Sequence, residues 1–301
     1  MEISEAGFVL CSTKILIFQP NPMTEIKSSL MRPLRSTPVA AQWFGWAMIC
    51  LFTVGSLLGC RESQGPAPGE QGNIAIYSGA GVFPLSVTAL ISCLRFYGFE
   101  TDTLGLTGLL GDGLDSFAVL VVPAGDPLEF SNELGPVGRS AIKQFVNAGG
   151  GYIGLGGGGA IASNDGVSLN RFPLYEGTSH WPINNIAPYP EIAITGIEVT
   201  FTNHPVTRTG QSHYWTMYRW GPEFFPASDA NVDTLYLFET TGTPAAIAFE
   251  YGQGRVFLTG FQPEFEESDS RDSTDYGVNL GDPDSEWELL QRAADWCLWR
   301  L

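Results

Sequence analysis

A run of glycines interrupts the middle of the chain where an α/β enzyme would present a nucleophile. It covers residues 149–159, GGGYIGLGGGG, and indicates a buried strand from Tyr152 to Leu155, a turn of glycine alone and a helix starting near Ala160. A sharp turn from strand to helix holds the side chain at its apex clear of the sheet, which is how acyl-transfer enzymes display a reactive hydroxyl or thiol. The apex here is Gly156, so only backbone stands at that place.

The segments before this turn predict the sheet that must hold it. Compact apolar strands are expected at 73–77 and 117–122, an extended segment at 99–104, and helices from Pro84 to Gly98 and over 136–148. Apolar strands that alternate with helices are typical of a parallel sheet covered on both faces. Ligands bind beyond the carboxyl ends of such strands. Three loops are therefore expected to converge there, at 78–86, 123–127 and 156–159.

The second half of the chain predicts further strands and a closing helix. An irregular loop over the edge or mouth of the sheet is expected at 164–190. The expected elements after it are strands at 192–201, 234–239, 245–251 and 255–261, the last two joined as a hairpin by residues 252–254, and a helix at 285–299.

Three phrases resemble the N-terminal domain of eukaryotic-type biotin-protein ligases, a branch of the class I glutamine amidotransferase-like superfamily. They are YSGAGVFP at 77–84, PAGD at 123–126 and the glycine run. The resemblance covers roughly residues 73 to 300, within the usual size of one domain. It implies a flavodoxin-like three-layer α/β sandwich whose mostly parallel sheet ends in a C-terminal antiparallel hairpin. Nothing resembles the catalytic ligase domain, and no cofactor is expected.

The resemblance also implies that the usual chemistry is lost. The superfamily turn is Gly-x-Cys-x-Gly; Gly154 and Gly158 match its glycines, and Gly156 stands in place of the cysteine nucleophile. Where relatives have His-Pro-Glu, this chain has Gln262, Pro263 and a retained Glu264. An acyl intermediate needs a nucleophile, and an amide cannot act as a general base near neutral pH. The sequence therefore predicts no catalytic residues of the glutaminase type.

Binding at the mouth of the former active site is the function that this pattern favours. The ligand is an unidentified small molecule or an envelope protein, and the backbone amides of 156–159 suggest an anion-binding nest. An aromatic-rich stretch at 213–222 is either a hydrophobic cluster or a rim for the ligand. The candidate binding residues are Ser78, Gly79, Gly125, Asp126, Gly156, Gly157, Gly158, His213, Tyr214, Arg219 and Glu264.

Two other functions stay open at this stage. One is a hydrolase of altered chemistry that uses Glu264, Asp126 and a histidine such as His213. The other is a structural envelope protein whose surface aromatics engage a partner.

Acidic residues between 266 and 284 do not follow the spacing of a calcium-binding loop, so a solvated acidic loop is expected and no metal site. Cys93 and Cys297 fall in helical patterns and are expected to be free, buried and apolar in character, with a disulfide between them as the alternative.

The N-terminal segment predicts export. Residues 1–30 precede a complete signal and are interpreted as an extension from a start codon assigned too early. Residues 31–59 read as a lipoprotein signal peptide, with Arg32 and Arg35, an apolar run and Leu57-Leu58-Gly59 before Cys60. Cys60 is the expected site of lipidation, and 60–72 a flexible tether. The expected location is the bacterial cell envelope, as an outer-membrane lipoprotein facing the periplasm or the surface. An uncleaved transmembrane anchor is the alternative.

The composition limits the classes of partner that the protein is expected to bind. The 301 residues are 44% hydrophobic, which allows one sizeable core. A formal net charge of -17 argues against nucleic acid, because duplex binding depends on Lys and Arg that neutralise phosphates. Membrane attachment is expected only through the lipid on Cys60.

Overall fold

The computed structural model describes residues 73–164, 171–266 and 270–301. The predicted extension at 1–30, the signal peptide at 31–59, the tether at 60–72 and the lipidation site Cys60 lie outside the described residues.

The first half of the domain alternates strands and helices. Pro84 at the first turn and Gly98 after the last one delimit the first helix, as expected. The elements are β1 (Ile74–Tyr77), α1 (Pro84–Phe96), β2 (Thr101–Leu104), α2 (Leu106–Leu110), a 3₁₀ turn (Asp112–Ser116), β3 (Val119–Val122), α3 (Pro127–Asn147), β4 (Gly151–Leu155) and α4 (Gly157–Ile161).

The second half consists mainly of strands and closes with a helix. Its elements are β5 (Gly177–His180), β6 (Ala193–Val199), a 3₁₀ turn (Pro205–Thr207), β7 (His213–Tyr218), β8 (Glu223–Pro226), β9 (Asp233–Phe238), β10 (Pro244–Tyr251), β11 (Gly254–Thr259) and α5 (Trp287–Cys297).

Nine of these strands form one sheet, in the order β2-β1-β3-β4-β11-β10-β9-β6-β7. The strands from β2 to β11 run parallel to their neighbours. The strands from β10 to β7 are antiparallel, so the antiparallel part extends beyond the predicted hairpin of β10 and β11. β5 and β8 form a separate two-stranded sheet.

Helices cover both faces of the parallel part, which gives the predicted three-layer sandwich. Because side chains alternate along a strand, Ile74 and Ile76 face one core with α1 and α5, whereas Ala75 and Tyr77 face another with α3. Cys93 lies in α1 and Cys297 in α5, and both are free and buried, as predicted. Each thiol has a raised pKa, chiefly because burial disfavours the thiolate.

Local structure departs from the predictions in three places. Helix α3 begins at Pro127, where Asp126 caps it; Gly135, at φ +56°, interrupts the helical backbone, and the helix predicted from Pro136 is its second part. The predicted loop at 164–190 contains β5, which pairs with β8. The acidic loop is only partly solvated, since Glu266 and Asp272 are buried and accept hydrogen bonds whereas Asp275 is exposed.

No helix among the described residues has both the length and the apolar character needed to cross a bilayer.

Candidate functional site

The site lies at the carboxyl ends of three adjacent parallel strands. In the register of the sheet, Gly154 of β4 lies between Val122 of β3 and Leu258 of β11. The loops that leave these strands therefore start side by side, which brings 123–127, 156–159 and 260–264 together. An antiparallel bridge between Val82 and Gly125 adds the loop that follows β1. The convergence predicted for the loops at 78–86, 123–127 and 156–159 is confirmed.

Gly156 occupies the apex of the turn in a backbone conformation that side chains rarely adopt. Its φ is +49° and its ψ is -110°. Its amide donates to the carbonyl of Thr259 at 2.9 Å, which fixes the turn against β11. A Cβ placed on Gly156 would point at Gln262, 2.5 Å from Nε2. The two positions that the resemblance assigned to nucleophile and base thus face each other.

The side chain of Gln262 is fully buried and is bound to main-chain atoms. Its Oε1 accepts from the amide of Arg219 at 2.6 Å, and its Nε2 donates to the carbonyl of the same residue at 3.3 Å. The amide of Gln262 itself donates to the carbonyl of Met217 at 3.0 Å. A carboxamide offers one acceptor and one donor to a single residue in this way. The group in the histidine position therefore holds Arg219 in place.

Glu264 is fully buried, and its carboxylate forms no ion pair with a residue that the structure describes. Its Oε1 accepts from the hydroxyl of Ser86 at 2.5 Å, and that hydroxyl in turn accepts from the amide of Ala124 at 3.1 Å. Among the described residues, Oε2 of Glu264 has no hydrogen-bond partner. Burial raises the pKa of Glu264 to about 7, although the bond from Ser86 and the charge of Arg219 oppose the rise.

The glycines after the apex serve close packing. A Cβ on Gly157 would lie 2.1 Å from the carbonyl oxygen of Gly125, and one on Gly158 would lie 2.1 Å from that of Val122. Both glycines are buried in a helix of five residues. Glycine is therefore needed at both positions because α4 packs closely against β3 and the loop that follows it. The predicted anion-binding nest gains no support from these contacts.

A cavity of about 480 Å³ opens beside the buried turn. Of the predicted binding residues, it is lined by Gly125, Asp126 and Arg219. The predicted loop over the mouth contributes Trp181, Pro182 and Tyr189 to the wall. The remaining lining residues are Gly81, Val82, Phe83, Pro127 and Trp220. Its size is within the range of small-molecule sites, about 300 to 1,000 Å³.

Arg219 packs against two aromatic rings in this wall. The guanidinium carbon lies 4.1 Å from the ring centroid of Phe83 and 4.1 Å from that of Trp220, and Nε donates to the hydroxyl of Tyr276 at 3.1 Å. Trp220 has a left-handed backbone, with φ of 54°, which is uncommon for a bulky residue. The ring of Tyr189 packs on that of Trp220 with centroids 4.5 Å apart.

The structure places several predicted binding residues elsewhere. Tyr214 is a core residue that packs against Tyr236 and donates to Thr209. Ser78 is exposed, and its amide donates to the carbonyl of Leu104. Gly79 packs against the hydroxyl of Tyr77. The aromatic stretch at 213–222 therefore has two parts: its β7 tyrosines belong to the core, and Arg219 and Trp220 form the rim.

His213 does not meet the acids that the hydrolase hypothesis needs. Its Nε2 lies 3.1 Å from Oε1 of Glu239, at the start of β7. Gln262 binds Met217 near the other end of that strand, about 13 Å away at ~3.3 Å per residue. No contact among the described residues joins His213 to Glu264 or to Asp126. The version of this hypothesis that uses His213 is therefore not assembled among the described residues.

Several residues of the site were not on the predicted list: Ser86, Phe83, Trp181, Tyr189 and Trp220. Ser86 carried a signal, because it shares the buried face of α1 with Leu90 and Cys93 and is a polar residue at a core position. Trp220 belongs to the stretch at 213–222 that was predicted as a possible rim, whereas the other aromatic residues had no signal in the sequence, since they reach the cavity from separate loops.

The acidic residues near the C-terminus include a close group. Carboxylate oxygens of Asp282, Asp284 and Glu286 lie within 4.8 Å of one another, and Asp284 accepts from the amide of Trp215 at 3.1 Å. An acidic group of this kind does not by itself specify a cation.

Comparison with known proteins agrees with the observed fold. Residues 72–168 match the family described as biotin-protein ligase, N terminal. A comparison with curated proteins finds no match.

Solved structures extend the likeness to most of the domain. A ThuA-like protein from Bacteroides uniformis has a TM-score of 0.51 at 16% identity, over 78% of this chain and 94% of its own. The protein SMU.1228c has a TM-score of 0.51 at 14% identity, over 75% of this chain and 99% of its own. A glutamine amidotransferase from Thermotoga maritima is 11% identical over 76% of this chain and 98% of its own, with a TM-score of 0.48. The chain has the flavodoxin-type α/β fold of the ThuA-like structure, as the sequence predicted.

Proposed function

We propose that this protein, whose fold is that of glutamine amidotransferase-like proteins, is a non-catalytic module that binds a small ligand at the mouth of the former active site. Membrane attachment through lipidated Cys60 would present that module at the bacterial cell envelope.

The observation that carries this proposal is the bonding of Gln262. Both polar atoms of its amide bind the main chain of Arg219, so the residue in the base position fixes the backbone of a cavity-lining residue. The facing position, Gly156, offers no nucleophile. In this proposal, the glutamine in place of the base positions Arg219, and the glycine in place of the nucleophile leaves the turn without a reactive group.

The adjacent cavity supports binding rather than a structural role for the site. It combines a cation, aromatic rings and the carboxylate of Asp126 in one concave surface. Small-molecule sites usually have mostly apolar walls with a few polar groups. Tyr189 is 72% exposed in the wall, so a stacking surface is open to a ligand.

The test is a ligand screen on the full chain. Saturation-transfer NMR with a chemically varied set of small molecules is expected to give hits that are lost on Tyr189→Ala. The matched control is Phe225→Ala, because Phe225 is also an exposed aromatic, at 41%, and does not line the cavity. A folded protein that gives no hits, or hits equally reduced by both variants, contradicts the proposal.

A further inference from the structure

Arg219 presents only one part of its side chain to a ligand. The rings of Phe83 and Trp220 both pack on the guanidinium, each with its centroid 4.1 Å from the guanidinium carbon, and Nε donates to the hydroxyl of Tyr276. Within the part of the chain that the structure describes, the two Nη atoms form no hydrogen bond and no ion pair. The residue lines the cavity, so its terminal edge is the group left to bind a ligand.

That edge matches a carboxylate. Two parallel N–H groups of a guanidinium bind the two oxygens of a carboxylate side by side. Contact with two rings and the bond from Nε to Tyr276 restrict the side chain, so less freedom is lost when the anion binds. A neutral amide or an alcohol accepts hydrogen bonds from at most part of this edge.

The rest of the cavity favours a flat apolar body beside that carboxylate. Trp181, Tyr189 and Trp220 line it, and the last two already pack ring against ring. Aromatic surfaces favour a planar ring in a stacked or edge-on arrangement. Asp126 adds a negative charge at the rim, where its Oδ1 caps α3 through the amide of Leu128 at 2.8 Å. A second carboxylate on the ligand would be repelled there.

From these observations we infer that the cavity binds a planar aromatic monocarboxylate, whose carboxylate lies on the Nη edge of Arg219 and whose ring lies against the exposed ring of Tyr189. The inference rests on the proposed function and names the chemical class of its ligand. A volume of about 480 Å³ accommodates one or two rings.

Calorimetry on the full chain in mild detergent tests the class with four probes. Benzoate and indole-3-carboxylate are expected to bind, whereas benzamide, which lacks the charge, and cyclohexanecarboxylate, which lacks the flat ring, bind at least about tenfold more weakly. Equal affinity for benzoate and benzamide, or for benzoate and cyclohexanecarboxylate, overturns the inference.

A pair of variants locates the binding. Arg219→Lys keeps the charge and removes the fork, so affinity for benzoate falls by about tenfold or more. The matched control Arg95→Lys changes an exposed arginine of α1 that does not line the cavity, and leaves the affinity unchanged. Unaltered benzoate binding by a folded Arg219→Lys protein overturns the assignment. The comparison of the four probes on the unmodified chain stands even if this variant does not fold.

The outcomes separate the ligand class from the proposed function. If the aromatic carboxylates give no heat while other molecules of the NMR screen bind and are lost on Tyr189→Ala, the class is wrong and the binding function stands. If neither the probes nor the screen gives binding at the cavity, both are wrong.

Discussion

Gly156 and Gln262 face each other at the carboxyl edge of the sheet: a Cβ on the glycine would lie 2.5 Å from Nε2 of the glutamine. The two residues are 106 positions apart in the chain and meet because β4 and β11 are neighbouring parallel strands. One member offers no nucleophile, and the other uses its amide to bind Arg219. This relationship underlies our proposal of a domain that binds rather than reacts.

Replacing Gly156 by alanine is expected to destabilise the fold by about 1 to 3 kcal/mol, because φ is positive and the new methyl group meets Gln262. Urea unfolding of the single variants Gly156→Ala and Gln262→Ala and of the double variant measures the coupling. The cost of Gly156→Ala is expected to be smaller when Gln262 is already alanine. If the free-energy changes of the two single variants add up to that of the double variant, the two positions are not in direct contact.

Gly157→Ala is expected to cost about 2 to 4 kcal/mol, since its Cβ would lie 2.1 Å from a backbone oxygen of Gly125, which cannot move without the loop. Gly105→Ala is the matched control, because nothing lies within 4 Å of a Cβ there, and a change within about 0.5 kcal/mol is expected. Chemical denaturation of both variants provides the comparison. Similar stabilities of the two would show that the glycine run is not needed for packing.

Glu264→Gln is expected to stabilise the protein at pH 8 and to have little effect near pH 4. The folded pKa of Glu264, about 7, lies above the usual value of 4.5, so between these values the folded state binds more protons than the unfolded state. Stability from this group is therefore present at low pH and is lost as pH rises through 7. The amide mimics the protonated acid, with its oxygen accepting from Ser86.

The difference in unfolding free energy between Glu264→Gln and the unmodified protein should grow from pH 4.5 to 8 to on the order of 3 kcal/mol. His204, whose pKa burial lowers to about 4, is common to both proteins and cancels in this difference. A difference that is flat over this range would mean that Glu264 remains ionised in the folded protein.

Cys60→Ser is expected to move the protein from the membrane fraction to the soluble fraction of bacterial cells, since the lipid is the proposed anchor. Cys50→Ser changes a cysteine inside the segment proposed to be removed and should leave the protein in the membrane. Fractionation followed by immunoblotting distinguishes the two. Membrane retention of the Cys60→Ser protein would favour the transmembrane anchor instead.

The sheet and the turn were predictable because their signals are local. Four apolar residues in β3 and the pattern of glycines around Gly156 identify their elements without reference to distant parts of the chain. The positions of Gly156 and Gln262 were likewise predictable, through the resemblance to amidotransferase-like proteins. Their direct contact was not, since it depends on the order of strands in the sheet.

The aromatic wall of the cavity could not be predicted in full, because it comes from loops whose paths depend on tertiary contacts. Tyr189 reaches Trp220 from a segment without regular structure, and Trp220 adopts a left-handed backbone that no local pattern signals. Tyr214, in contrast, was predicted to bind a ligand and is a core residue. It is as aromatic as the rim residues, but the alternation of β7 turns it into the core.

The most direct test of a binding role without glutaminase chemistry is the release of ammonia from L-glutamine by the full chain, measured against the Glu264→Gln variant and a protein-free control. We predict that all three give the same background rate. Ammonia release above that background by the unmodified chain, abolished in the variant, would contradict the account.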